Sequence, residues 1–308
     1  MSGPIDERDI GWVNEGQIGV EVRQGRTANI GGFEVVRVLP TKGRRTIGGW
    51  CFVDLMIPPD ATDPDPLEIG PHPHIGLATV TWLFSGEALH SDSLGTEQVI
   101  RPGQLNLMSA GHGIAHAELS PEEGVQGAQM WIAQPEATRH GEPAFEHHGE
   151  LPRVEWAQGE AMVLVGSFGE ATSPARADTE LVGLDMTLRS GPTEIELRPD
   201  FEYGVIPLDS SIKLDDAIVE PGWLGLVEAG PDRIRLDAGA GGGRLMLVGG
   251  EPLGERIQMW WNFVARSKEE ITGAWEAWQA RDTDRFGPVP SRLARIDAPR
   301  PPWLAGSD

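Results

Sequence analysis

The chain has 308 residues, 39% of them hydrophobic, with 40 glycines, 25 prolines and one cysteine, and a formal net charge of −22. That length allows two domains with real cores, and so many turn-formers favour numerous short strands over long helices. The charge repels nucleic-acid phosphates and anionic lipid, which argues against direct nucleic-acid or membrane binding, and a lone Cys51 excludes an internal disulfide or a thiolate metal cage.

Residues 1–10, MSGPIDERDI, have neither a basic n-region nor an apolar core, so they are not expected to act as a signal peptide. No apolar run approaches the roughly 18 residues of a spanning helix, and a reducing cytoplasm suits the single cysteine. Between residues 23 and 45, Arg23, Arg26, Arg37, Lys42, Arg44 and Arg45 face Glu34 alone. The plain expectation is a solvated strand pair; the sharper one is a docking patch for an acidic protein partner.

Strand-like segments then follow one another: GFEVVRVL (32–39), WCFVDLMI (50–57), GLATVTWLF (76–84), QMWIAQ (129–134), AMVLVGSF (161–168), LVGLDMTL (181–188) and RLMLVGG (244–250). Gly, Pro, Asp or Ser punctuates them, the pattern of sandwiches and barrels. IRPGQLNLMSAG (100–111) aligns without gaps to VEPGWLGLVEAG (219–230), with six of twelve positions identical. A Pro-Gly turn feeding alternating leucines, found twice, argues for a duplicated β domain. The boundary is expected in the polar stretch 146–155, dividing the chain into 1–148 and 149–308. Residues 267–282 read as a helix, with Ser267 and Glu270 as a capping box and Ile271, Ala274, Trp275 and Trp278 as one apolar stripe. The proline-rich tail beyond it reads as a strap over the surface.

All eight histidines lie between residues 72 and 148. His72 and His74 stand at i and i+2, and so do His116 and Glu118, so on strands each pair shares a face. If the two strands meet on the inner wall of a barrel, three imidazoles and one carboxylate converge. That donor set suits one divalent metal: iron(II), manganese, nickel or cobalt with open positions, or zinc with all four filled. Pro71 and Pro73 lack the N–H of a central ladder, so this segment should be a strand start, an edge or a bulge at a barrel rim. His112 is expected in a loop at the pocket mouth. His90, His140, His147 and His148 read as surface residues, with His90 near the mouth, while Met108 and Trp131 are candidates for the pocket wall.

HPHIGLATVTWLFSGE, DSLG, IRPGQLNLMSAGHGIAHAE and GGEPLGERIQMWWNFVARSKEEI together resemble the pirins, members of the cupin superfamily, over nearly the whole chain. The resemblance implies an all-β fold of two stacked cupin barrels with a C-terminal helix. It implies a single iron in the first barrel, held by His72, His74, His116 and Glu118. Two features depart from the pattern. Ala78 and Thr79 stand where many cupins carry a glutamate, and His112 stands where pirins often have arginine. The second half of the chain contains no histidine; a shift of 119 residues places Arg235 and Asp237 opposite His116 and Glu118, so the second barrel is expected to be structural.

The resemblance further implies a metal-dependent dioxygenase of the quercetin 2,3-dioxygenase type, acting with dioxygen on a flavonol-like enol ketone. In that scheme Glu118 is the base that accepts the enol proton. The same resemblance allows a second role, a redox- or metal-sensing co-regulator that binds other proteins, with the basic stretch 23–45 as its surface.

Overall fold

The computed structural model describes residues 20–30, 33–57, 66–120 and 124–304. The segment 1–10, read above as lacking a targeting signal, lies outside the described residues. Four antiparallel sheets make two barrels, and a short two-stranded sheet and one helix follow them.

The first barrel has a seven-stranded sheet in the order Ala144–His148, Leu105–Ser109, Leu77–Ser85, Gln126–Ala133, Trp50–Met56, Phe33–Leu39, Arg26–Ile30. It is closed by a four-stranded sheet in the order Glu68–His74, Ile114–Leu119, Ala88–Asp92, Glu97–Ile100. The second barrel repeats the scheme: Glu21–Arg23, Leu224–Val227, Glu202–Pro207, Gly243–Gly250, Leu181–Leu188, Gly159–Phe168, Arg153–Trp156. Its small sheet runs Pro192–Glu196, Arg233–Asp237, Ile212–Leu214, Ala217–Val219. Ten strands of each barrel match in chain order and in sheet position, and the repeated segments supply the equivalent strands Leu105–Ser109 and Leu224–Val227. The strand beside these differs in origin, Ala144–His148 from the end of the first barrel but Glu21–Arg23 from ahead of both, and Ala171–Thr172 is an addition in the second. The duplication read from twelve residues is therefore a duplication of the whole barrel, and the fold is the expected pair of cupin barrels with a terminal helix.

The ends of the chain cross the 148/149 division. Glu21–Arg23 pairs with Leu224–Val227 and so completes the second barrel's large sheet. The C-terminal helix instead packs on the first barrel, where Ile271, Ala274 and Trp278 share a core with Ile75, Ala115, Phe263 and Phe286.

Between the barrels lies the largest core cluster, which combines Val53, Leu55, Val80, Leu107 and Met130 of the first with Leu164, Ile206, Leu224, Met246 and Val248 of the second. This explains why Trp50–Met56 is buried at every position rather than at alternate ones: one face lines the first barrel and the other packs on the second. Trp50 donates its indole N–H to the carbonyls of Val182 (3.1 Å) and Gly249 (3.2 Å), and Trp82 donates to Asp185 Oδ2 (2.8 Å).

The basic stretch is not one solvated surface. Arg37 is internal, at 3% exposure, and Arg44 reaches across to Glu202 and Glu228 of the second barrel. Arg23 pairs with Glu21. Folding thus consumes several of the charges that the sequence offered as a docking patch.

The helix runs Lys268–Gln279, with the Ser267 side chain accepting from the Glu270 amide (3.2 Å). The capping box is only half formed: the Glu270 carboxylate accepts from the Arg266 amide (3.0 Å) and from the Arg139 guanidinium rather than from Ser267. The tail beyond the helix is tied down by indole N–H groups, Trp278 to the Ile296 carbonyl (3.0 Å) and Trp275 to that of Ala298 (3.2 Å).

Candidate metal centre

Glu68–His74 is an edge strand, paired only with Ile114–Leu119, which is where its two prolines can be accommodated. Its open edge is covered by the tail, whose Ile296 amide donates to the Pro71 carbonyl (2.9 Å). Gly70 is required at this crossing, because a Cβ there would lie 2.0 Å from the Ala294 carbonyl oxygen.

Across the ladder, His116 is the partner of His72 on one side and of Asp92 on the other. A register irregularity between His116 and Glu118 marks the strand at this point. The outcome is a buried group: ligand atoms of His72, His74 and His116 all lie within 4.8 Å of one another, at 6%, 1% and 1% exposure. Glu118 lines the same cavity at 7% exposure, but its carboxylate stands outside that group of donor atoms.

Each imidazole is held through its outer nitrogen. His72 Nδ1 donates to the Gly70 carbonyl (2.9 Å), and His74 Nδ1 donates to that of Asn262 (3.2 Å). Asn262 follows Trp261 in the two-residue turn between Gln258–Trp260 and Phe263–Ala265, and Trp261 holds a positive φ of 53°. A non-glycine residue in that conformation is strained and persists only where its surroundings hold it. The C-terminal part of the chain thus orients a side chain of the first barrel.

His116 is held differently. Its Nδ1 lies 3.3 Å from Nδ1 of His90, whose Nε2 lies 3.2 Å from Asp92 Oδ2. Asp92 Oδ1 accepts from the amides of Leu94 (2.9 Å) and Thr96 (3.0 Å). One proton arrangement satisfies the whole chain: His116 donates to His90, and His90 donates to Asp92. The inward Nε2 atoms of His74 and His116 then face each other as bare acceptors 3.0 Å apart. Two such lone pairs at that distance need a cation or a proton between them, so this donor set fits a divalent metal.

Electrostatics agree. Burial pushes the His72 pKa down to about 4, against a smaller opposing effect of the Gly70 carbonyl. Burial, and then His72 beside them, hold His74 and His116 well below the ordinary imidazole value. All three are neutral at pH 7, the form that ligates metal. Burial raises the Glu118 carboxyl, opposed by His90 and Thr81. Asp92 resists its own burial: hydrogen bonds from His90 and the Thr96 amide keep it below the usual carboxylate range.

The cavity in front of these groups has a volume of about 490 Å³. Phe52 and Trp131 form one wall, stacked with ring centroids 4.0 Å apart, and His74 meets Trp131 edge-on. Trp261, Ile296 and Pro299 close the other side, so the expected surface strap is in fact part of the pocket.

Several expectations need correction. His90 is no surface residue: it is 4% exposed, stacked on Phe145, and backs His116. Its i, i+2 relation to Asp92 in ALHSD repeats the spacing that exposed the other pairs, and that signal could have found it. Met108 packs with Ala110, Ile114 and Phe145 rather than on the cavity, whereas Trp131 does line it. His112 bonds the Gly141 carbonyl (3.0 Å) and does not line the cavity. His140 is exposed, while His147 and His148 are half-buried on Ala144–His148. In the second barrel, Arg235 faces outward; the inward positions are Thr193, Ile195, Ile234 and Leu236, all buried. An offset taken from one turn does not carry through every strand register.

No helix among the described residues is long and apolar enough to cross a membrane. Residues 32–132 match the family model described as Pirin, and residues 183–286 match the Pirin C-terminal cupin domain. A Pseudomonas aeruginosa protein named "Putative quercetin 2,3-dioxygenase PA1205" is 44% identical over 90% of this chain and 89% of its own length. A "Pirin-like protein" of Caulobacter vibrioides is 34% identical over 83% of this chain and 91% of its own. The crystal structure of a quercetin 2,3-dioxygenase from Acinetobacter baumannii superposes with a TM-score of 0.85 at 40% identity, covering 92% of this chain and 96% of that one. Duplicated barrels, a histidine group confined to the first, and these matches across both halves agree: the chain belongs to the pirin family.

Proposed function

We propose that this pirin is a metal-dependent dioxygenase of the quercetin 2,3-dioxygenase type, acting on flavonol-like enol ketones in the cytoplasm. His72, His74 and His116 would hold one divalent metal, iron(II) by preference, with Glu118 as the fourth ligand. The observation that carries this reading is the convergence of three buried, neutral imidazoles at the base of a cavity with an aromatic wall. The similarity to proteins named as quercetin 2,3-dioxygenases supports the choice of reaction.

When bound, the metal supplies Lewis acidity that lowers the enol pKa and a common site for substrate and dioxygen. The protein supplies the rest. Phe52 and Trp131 line the cavity with aromatic surface against which the fused rings pack. Ile296 and Pro299 of the tail help to keep water from the substrate. Glu118, on the cavity wall, would leave the metal to take the enol proton as its oxygen becomes an enolate.

The test is direct. Protein loaded with iron(II) and given a flavonol in air should consume the flavonol and dioxygen together. His116→Ala should abolish the reaction, and Glu118→Gln should slow it by about two to four orders of magnitude, the usual weight of a general base. No ring cleavage by loaded protein, or cleavage that survives His116→Ala, overturns the reading.

A further inference from the structure

Arg37 lies inside the first barrel, and its charge is only partly used. On the sheet, Arg37 is the cross-strand partner of Asp54 on one side and of Arg26 on the other. Its Nε and Nη2 donate to the two oxygens of Asp54, at 2.7 and 2.6 Å, and its guanidinium carbon sits 4.4 Å above the Phe52 ring. Nη1, the remaining arm, is buried and has no hydrogen-bond partner among the described residues. Arg37 lines the same cavity as the three histidines.

A buried donor without an acceptor is costly, and native proteins rarely keep one unless something else satisfies it. The fork geometry of guanidinium suits an oxygen anion, and the bond to an ionised acceptor is about twice as strong as a neutral one. Local charge points the same way, since two guanidiniums, Arg26 and Arg37, stand against the single carboxylate of Asp54. Of the other acids on the cavity wall, Glu118 lies in the histidine strand, and Asp297 is at the exposed rim, paired with Arg295.

We infer that the free arm of Arg37 binds an ionised oxygen, carboxylate or phenolate, carried by a flat aromatic ligand that lies in the cavity lined by Phe52 and Trp131. This rests on the proposed reading only in taking the cavity as the place where an aromatic molecule binds. It adds a second anchor, separate from the histidines, and selects acidic aromatic molecules over neutral ones of the same shape.

Binding without turnover tests it. Nickel(II)-loaded and metal-free protein are titrated anaerobically with 2-naphthoate and its neutral counterpart 2-naphthamide, and with 2,4-dinitro-1-naphtholate and its methyl ether. At least one ionised probe should bind about tenfold or more tightly than its neutral counterpart, as a charge-assisted bond implies, with or without metal. The pair that shows the preference tells carboxylate from phenolate.

The double variant Arg37→Gln/Asp54→Asn removes both charges and leaves neither partner buried alone. In it the preference should fall to about one, with neutral-probe affinity and melting temperature little changed. A wild-type ratio near one overturns the inference whether or not the variant folds. So does a preference that survives the double variant, and one that disappears with the metal assigns the anion to the histidine site instead. Absence of flavonol cleavage would sink the dioxygenase reading and leave these ratios untouched; cleavage by a protein with no anion preference would sink only the role of Arg37.

Discussion

His90 presents Nδ1 to Nδ1 of His116 at 3.3 Å, and this contact makes His116 the innermost member of a chain of three side chains ending at Asp92. The other two histidines of the group lean on backbone carbonyls, which no substitution of those carbonyl-bearing residues removes. His116 alone depends on another side chain for its tautomer. Substituting His90 by Ala, or Asp92 by Asn, should therefore weaken metal binding about 10- to 100-fold, the usual weight of such supporting bonds. Competition with a chelator measures it. His147→Ala, on the half-buried edge strand, should leave the affinity unchanged, and equal losses in both would show only general destabilisation.

The depressed histidines give the metal-free protein a defined acid sensitivity. The folded His72 pKa is about 4, below the ordinary 6.5, so between those values the unfolded chain binds a proton that the folded one refuses. Stability from this group is complete above pH 6.5 and is lost as pH falls towards 4. The loss is on the order of 3 kcal/mol for His72 alone, and His74 and His116 act in the same direction. Urea midpoints measured from pH 7 to 4 should fall, and His72→Gln should flatten the slope. A wild-type midpoint independent of pH in this window would contradict the burial of neutral imidazoles.

The tail is held over the cavity by indole N–H bonds from Trp275 and Trp278. Replacing either by Phe retains most of the packing and removes one hydrogen bond, which costs about 1 kcal/mol. Limited trypsin digestion at Arg292 and Arg295 should speed up by several fold before the barrels unfold. Gly70→Ala should do the same by a different route, because its Cβ cannot share space with the Ala294 carbonyl. Unchanged cleavage in all three would mean that the tail is fastened elsewhere.

Cys51 is fully buried, packed with Leu77, Trp131 and Ala133 of the first barrel and with Ile257 and Val264, and burial pushes its thiol pKa up to about 12. Thiol reagents attack the thiolate, so the native protein should not be labelled at pH 8 and should react once in guanidinium chloride. Rapid labelling of folded protein would show that this part of the core opens readily.

Much of this molecule is legible locally. Residues two apart on a strand share a face, so HPH, HAE and HSD each declare a same-face pair. Pro71 and Pro73 announce a strand start, an edge or a bulge because they lack a ladder donor, and Ser267 announces a helix start. The twelve-residue repeat announces the second barrel. These features depend on a few consecutive bonds, and short-range geometry is nearly the same in every fold.

Tertiary structure alone decided how those pieces combine. Whether Arg37 reads as part of a basic surface or as an internal cation depends on Asp54 and Phe52, neighbours through sheet pairing rather than sequence. The carbonyl that orients His74 comes from Asn262, and the wall that closes the cavity comes from residues 296–299. The outward direction of Arg235 reflects strand register in the second barrel, which a fixed sequence offset does not preserve. Contacts between residues far apart in the chain are set by the packing of whole sheets, and a single sequence shows which side chains share a face without showing whether that face points inward or what it meets.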